Sequence, residues 1–123
     1  MNELKQSEKR SRAPIILFTY NRLEVLRKTI ESLRNNVLIE ETDLFVFSDG
    51  PKPDNDEDKL KVDKVRYYLK SLRQFTKSFN YYEQESNLGL ARSLIEGISY
   101  VSEKNQNFIV LEDDLITSKY FLK

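Results

Sequence analysis

The sequence contains no cysteine and no histidine among its 123 residues. These two absences exclude disulfide bonds, thiolate nucleophiles, zinc sites built from Cys or His, imidazole bases and Ser-His-Asp triads. A metal ion would therefore have to be held by oxygen ligands, which favours Mg²⁺, Mn²⁺ or Ca²⁺.

The sequence also lacks an excess of either charge and any long apolar run. Its 20 Lys and Arg residues balance 20 Asp and Glu residues, so the net charge gives no indication of nucleic acid or an anionic membrane as a partner. No apolar run approaches the roughly 18 residues of a membrane helix. The N-terminal segment lacks the apolar middle of a signal peptide. We therefore expect one domain that lies in the cytoplasm, with the inner face of the membrane as a further location.

Apolar runs alternate with amphipathic stretches along the chain. Strands are predicted at residues 14–20, 43–48, 79–84 and 107–112. Helices are predicted from the apolar spacing at 23–37, 62–72 and 90–103, with another helix beginning after the fourth strand and a flexible lead-in at 1–12. This order predicts an α/β fold with three layers, α/β/α, and a mostly parallel sheet. Ligands of such sheets bind outside the carboxyl ends of the strands.

Three consecutive carboxylates, Glu112, Asp113 and Asp114, follow the fourth predicted strand. A helix cap would need only one of them, and three adjacent like charges repel one another. A divalent cation shared with a phosphate would relieve that repulsion. The cluster therefore favours a metal-assisted site over a solvated helix start.

Two arginines, Arg22 and Arg92, fall in the first turns of predicted helices, where a positive charge opposes the helix dipole. An anionic ligand over those helix starts would explain both. Asn21, with Glu24 three residues later, is interpreted as the N-cap of the first helix. Tyr20 ends a strand, and stacking on a base and burial in the core are equally favoured for it.

Two acidic segments have simpler interpretations. Asp49 precedes a glycine and could form a turn, although its place at a strand end slightly favours a ligand role. The acidic run at residues 54–58 fails as an EF-hand because its sixth and twelfth positions are Lys59 and Val65 instead of Gly and Glu. That run is predicted to be a solvated helix start.

Taken in order, these segments resemble the donor-binding half of a GT-A-fold glycosyltransferase of the family-2-like kind. The matching pieces span about residues 13–122, and "EDD" resembles the D-x-D signature. "EDDL" followed by "SKYF" is also similar to inverting N-acetylglucosaminyltransferases.

The resemblance implies metal-dependent binding of a UDP-sugar, with Mn²⁺ or Mg²⁺ as cofactor. The implied reaction is hexosyl or N-acetylhexosaminyl transfer, with inversion, to a glycan or lipid-linked acceptor in polysaccharide synthesis. Thr19 and Tyr20 would line the uracil pocket, Asp49 would accept a hydrogen bond from the base, and Arg22 would reach the nucleotide. The remaining implied contacts are Arg92 with the diphosphate, Glu112 and Asp113 with the ribose and donor sugar, and Asp114 with the metal.

The resemblance also implies parts that this sequence does not show. The family's general base lies well downstream of the D-x-D motif and is expected beyond residue 123. Residues 13–123 are therefore expected to be a nucleotide-sugar-binding half, truncated after the fourth strand, without its acceptor half and inactive alone. Its fourth strand would leave an open edge for self-association.

Other classes of protein share parts of this pattern. A non-catalytic nucleotide-sugar-binding or structural half-domain keeps the same fold. A phospho-receiver and a topoisomerase-primase-type domain both require acidic residues after the first strand, where Asn21 and Arg22 stand instead.

Overall fold

The computed structural model describes residues 12–114 and 122. The predicted alternation of strands and helices is confirmed. The elements are β1 (Ile15–Thr19), α1 (Leu23–Arg34), a short 3₁₀ turn (Ile39–Glu41), β2 (Asp43–Ser48), α2 (Asp56–Ser71), β3 (Ser78–Glu83), α3 (Leu90–Ser102) and β4 (Ile109–Glu112).

The four strands form one sheet in the order β3-β2-β1-β4, and every neighbouring pair is parallel. The chain therefore builds outward from β1 to β3 and then crosses to the other side of β1 for β4. The register places Thr19 beside Ser48 and Phe18 beside Glu112. The carboxyl ends of β1, β2 and β4 thus meet at a reversal of strand order, where parallel sheets bind ligands.

The sheet lies between two helical layers, which confirms the predicted three-layer α/β/α fold. One face of the sheet packs against α1 and α2 through a core that includes Leu17, Leu26, Ile30 and Leu69. The other face packs against α3, with Val101 in its core. The whole of β1 is buried, as expected for a central strand covered on both faces.

Helix α3 approaches the sheet closely at Gly97. A Cβ atom at this position would lie 2.7 Å from Cε1 of Phe18 and 3.2 Å from Cδ2 of Phe47. The rings of Phe18 and Phe47 stack with centroids 5.5 Å apart, and Tyr82 stacks on Phe47 at 5.0 Å. Because Gly97 has no side chain, the rings of Phe18 and Phe47 can pack directly under α3.

The first helix is shorter than its apolar spacing predicts. It ends at Arg34, and the Asn36 N–H donates to the Leu33 carbonyl in a turn. Val37, predicted to face inward on that helix, is instead 47% exposed, and Ile39 fills the core. The predicted final helix, the "SKYF" segment and residues 1–11 of the lead-in lie outside the described residues.

Among the described residues, β4 pairs only with β1, so β4 forms one edge of the sheet. Self-association through this edge stays a prediction. Within the same residues no helix is long and apolar enough to cross a membrane.

Candidate functional site

A cavity of about 270 Å³ opens at the carboxyl edge of the sheet. Its walls come from the ends of β1, β2 and β4, from the loop after β2 and from the start of α3. The polar residues among its lining are Thr19, Tyr20, Arg22, Asp49, Lys52, Asn87, Ser93, Glu112 and Asp113. Six of these nine were predicted as site residues, whereas Lys52, Asn87 and Ser93 were not.

The acidic run after β4 is neutralised in part by Arg22. Its Nη2 lies 2.8 Å from Oδ1 of Asp113 and 3.9 Å from Oδ2 of Asp114. Arg22 occupies the N-cap position of α1 without a side-chain cap. Its unfavourable charge at that helix start is thus explained by two carboxylates of the protein itself, and an anionic ligand is not required.

Asp113 is the buried member of the run, between exposed Glu112 and Asp114. Its Oδ2 accepts a hydrogen bond from the Thr19 hydroxyl at 3.4 Å, and its carbonyl accepts one from the Thr29 hydroxyl at 2.5 Å. Burial raises the pKa of Asp113, and the nearby Arg22 guanidinium offsets only part of that effect. The site therefore holds this carboxylate at an energetic cost.

Tyr20 and Asn21 both donate hydrogen bonds to Asp58 on α2, and Tyr20 also lines the cavity, where its contact with a base stays a prediction. The Tyr20 hydroxyl donates to Oδ2 of Asp58, and Asn21 Nδ2 donates to Oδ1 of Asp58 at 2.8 Å. The interpretation of Asn21 as the N-cap of α1 is therefore wrong, because its side chain points to α2. The prediction that residues 54–58 are solvated is also wrong for Asp58, which is 6% exposed.

Asp49 organises the loop that precedes α3. Its Oδ1 accepts from the backbone N–H groups of Gly50 and Leu88, both at 2.8 Å. Its Oδ2 accepts from the Gly89 N–H at 3.0 Å and from Asn87 Nδ2 at 3.3 Å. A carboxylate has about four acceptor positions, so this one is filled by the protein. The turn interpretation holds, and the implied contact with a base stays a prediction.

Arg66, which the sequence analysis missed, secures the same edge from α2. Its side chain is 14% exposed, and its guanidinium donates to the carbonyls of Ser48, Asp49 and Gln84 at 3.3, 3.2 and 2.7 Å. It thereby joins the ends of β2 and β3. The available signal was its spacing, four residues after Val62 and three before Leu69, which places a cation on the buried face of α2.

Arg92 is not brought into the cavity. Its Nε donates to Oε2 of Glu96 at 2.8 Å, and its side chain is 68% exposed. The predicted convergence of two arginines on the carboxylates is therefore found for Arg22 alone, and the contact of Arg92 with a diphosphate stays a prediction.

The start of α3 contributes to the cavity lining one buried hydroxyl without a partner among the described residues. Gly89, at the N-cap with φ +83°, provides no side-chain cap, and the first turn contains no acidic residue. The Ser93 hydroxyl is buried and has no hydrogen-bond partner within the described part of the chain. Such a group costs free energy unless a ligand or water meets it.

These features together define an α/β domain with a candidate ligand site at the carboxyl edge of a parallel sheet. The family model described as glycosyl transferase family 2 matches residues 15–123. The chain therefore belongs to this glycosyltransferase family, as its sequence motifs predict. The family transfers glycosyl groups from a nucleotide-sugar donor to an acceptor. No curated protein gives a significant match.

Proposed function

We propose that the cavity binds the UDP part of a nucleotide-sugar and that the domain serves in inverting transfer of a hexosyl or N-acetylhexosaminyl group to a glycan or lipid-linked hydroxyl. The observation that carries this proposal is the placement of Arg22, Asp113 and Tyr20 around one cavity at the strand-order reversal. The family supports the reaction class. The UDP-sugar donor and the inversion of configuration are proposed from the resemblance of the motifs.

The nucleoside would lie against Thr19 and Tyr20, two consecutive residues at the end of β1 that both line the cavity. Arg22 and Lys52 supply the positive charge of the cavity wall. Glu112 and Asp113 offer carboxylate oxygens to the hydroxyls of the ribose and donor sugar. Both cations would face the negative charge that develops on the departing nucleoside diphosphate, which is electrostatic stabilisation of a leaving group.

The acidic residues fit a divalent cation only if the donor supplies further ligands. Within the described residues, no group of three or more acidic side chains is arranged to hold a metal ion. Mg²⁺ and similar ions are, however, commonly held by one or two carboxylates together with substrate phosphates and water. Asp114, whose side chain is 52% exposed, would be the protein ligand. A bound Mn²⁺ or Mg²⁺ would supply Lewis-acid stabilisation of the diphosphate.

In the transfer itself, the acceptor oxygen would form a bond to the anomeric carbon as the bond from that carbon to the diphosphate oxygen breaks. The acceptor proton would pass to a carboxylate base outside residues 13–123. We accordingly propose that these residues constitute the donor-binding half and do not turn over alone.

Calorimetric titration of UDP with and without Mn²⁺ tests this proposal. We expect binding that requires Mn²⁺ and is lost in Asp114→Ala. Asp63→Ala is the matched control, because Asp63 is an exposed carboxylate on α2 whose one ion pair within the described residues is with Lys59, at 3.0 Å. Equal binding by Asp114→Ala and the wild type would contradict the metal assignment, and no binding by the wild type would contradict the donor site.

A further inference from the structure

One buried carboxylate outside the cavity joins the two loops that form a wall of it. Oδ1 of Asp58 accepts a hydrogen bond from Asn21 Nδ2 at 2.8 Å. Oδ2 accepts one from the backbone N–H of Lys52 at 2.8 Å and another from the Tyr20 hydroxyl. Three donors from elsewhere in the chain thus converge on one side chain of α2.

These donors divide into two groups by position. Tyr20 and Asn21 follow β1, whereas Lys52 follows β2. Tyr20 and Lys52 line the cavity, but Asp58 does not. Asp58 therefore acts on a cavity ligand only through the residues that it holds.

These hydrogen bonds favour the ionised form of the Asp58 carboxyl group. Burial alone would raise its pKa, but the hydrogen bonds from Tyr20, Lys52 and Asn21 outweigh burial and lower the pKa. Its own N–H donates to Oδ1 of Asn55, the N-cap of α2, at 2.9 Å, so the carboxylate also lies in the favourable first turn of that helix. Hydrogen bonds to an ionised acceptor are stronger than those between neutral groups.

We propose that Asp58 is a positioning residue for nucleoside recognition, which holds the Tyr20 ring and the Lys52 backbone in place before the ligand arrives. A cavity wall that is already ordered binds its ligand more tightly, because less conformational freedom is lost on binding. This proposal rests on the proposed donor-binding function of the cavity.

A double-mutant cycle in UDP affinity, with Mn²⁺ present, tests the proposal. Tyr20→Phe keeps the ring but removes its hydrogen bond to Asp58, and Asp58→Asn keeps the shape but removes the charge. We expect each variant to raise the Kd for UDP about 5- to 10-fold, because only part of the free energy of one charge-assisted hydrogen bond reaches the ligand through the positioned ring. The double variant should bind no more weakly than the weaker single variant.

Asp63→Asn, on the exposed face of the same helix, is the control and should leave the Kd unchanged. The ratio of the Kd of Asp58→Asn to that of the wild type should be the same for UMP as for UDP, because the residue positions the nucleoside and not the β-phosphate. The proposal would be overturned if the fold-increase in Kd of the double variant equalled the product of the fold-increases of the two single variants. A Kd within twofold of the wild type for Asp58→Asn would also overturn it.

A measurement without ligand separates this proposal from the proposed function. The Tyr20 hydroxyl donates to the Asp58 carboxylate whether or not a ligand is present. In protein with ¹³C-labelled tyrosine at neutral pH, the Cζ resonance of Tyr20, assigned from Tyr20→Phe, should shift in Asp58→Asn relative to the wild type, because the hydroxyl loses a charged acceptor. An unchanged resonance would show that Asp58 does not hold Tyr20. Absence of UDP binding by the wild type, with the resonance shifted as expected, would instead reject the donor site and the nucleoside role with it.

Discussion

Arg22 at the start of α1 and Asp113 directly after β4 are 91 residues apart in the sequence, and their side chains form a hydrogen-bonded ion pair at 2.8 Å. The pair joins β1 and β4 at their carboxyl ends. It also explains two features that are unfavourable separately, a cation at a helix N-terminus and a buried carboxylate.

Replacing Asp113 by Asn should increase stability at neutral pH. Because burial raises the pKa of Asp113 above its unfolded value of about 3.9, folding favours the protonated form. The contribution of Asp113 to stability is therefore fully present below pH ~3.9 and is lost as the pH rises through its folded pKa. We expect Asp113→Asn to unfold at higher urea concentration than the wild type at pH 7, and we expect the difference between the two midpoints to shrink towards pH 4. A difference in midpoint that grows on acidification would contradict this prediction.

Removing the Asp49 carboxylate should destabilise the loop before α3. Asp49→Ala leaves the N–H groups of Gly50, Leu88 and Gly89 without their acceptor, at a cost of about 3 kcal/mol in the free energy of unfolding. Asp63→Ala, which breaks only an exposed ion pair, should cost about 0.5 kcal/mol or less. Urea unfolding of both variants measures the difference. Similar losses would show that the Asp49 contacts contribute little.

Ser93→Ala should stabilise the protein, in contrast to most substitutions of buried residues. The Ser93 hydroxyl has no partner within residues 12–114, so the variant loses no hydrogen bond and buries one polar group fewer. Alanine is also the better helix former. We expect the free energy of unfolding to rise by about 0.5–2 kcal/mol, measured in urea without ligand. A loss of stability would show that an ordered water or another group meets the hydroxyl in solution.

Gly97→Ala should destabilise the packing of α3 on the sheet. Its methyl group would enter the space of the Phe18 ring, and such overpacking costs about 1–3 kcal/mol. The better helix propensity of alanine recovers up to about 1 kcal/mol. We therefore expect a net loss of up to about 2 kcal/mol in thermal or urea unfolding. Ser99→Ala, at an exposed position of the same helix, should show no loss.

The sequence was sufficient for the features that depend on local apolar patterns. The strand at residues 43–48 has its predicted bounds, and α3 begins at the predicted Leu90. The spacing of apolar residues reports burial directly, so the layer order and the edge that carries the site could be derived. The end of α1 was missed because Val37 continues the apolar spacing past the turn that ends the helix.

The sequence was not sufficient for the polar contacts of the site. Asn21 and Asp58 are 37 residues apart, and local spacing favours a capping box for Asn21 because Glu24 follows it. The positions of Arg22 and Arg92 look equivalent in their helices. Only the fold shows that Arg22 faces β4, whereas Arg92 pairs with Glu96 on the outer surface.

The central place of β1 has a consequence for the order of events during synthesis. Residues 15–83 contain β1, β2 and β3 and can pair as soon as they leave the ribosome, since domains begin to fold from the N-terminal side. Asp113 follows some 30 residues later, and until it emerges Arg22 and Thr19 lack their acceptor. A nascent chain halted before β4 would hold three paired strands without the β4 wall of the cavity, so the cavity is completed late in folding.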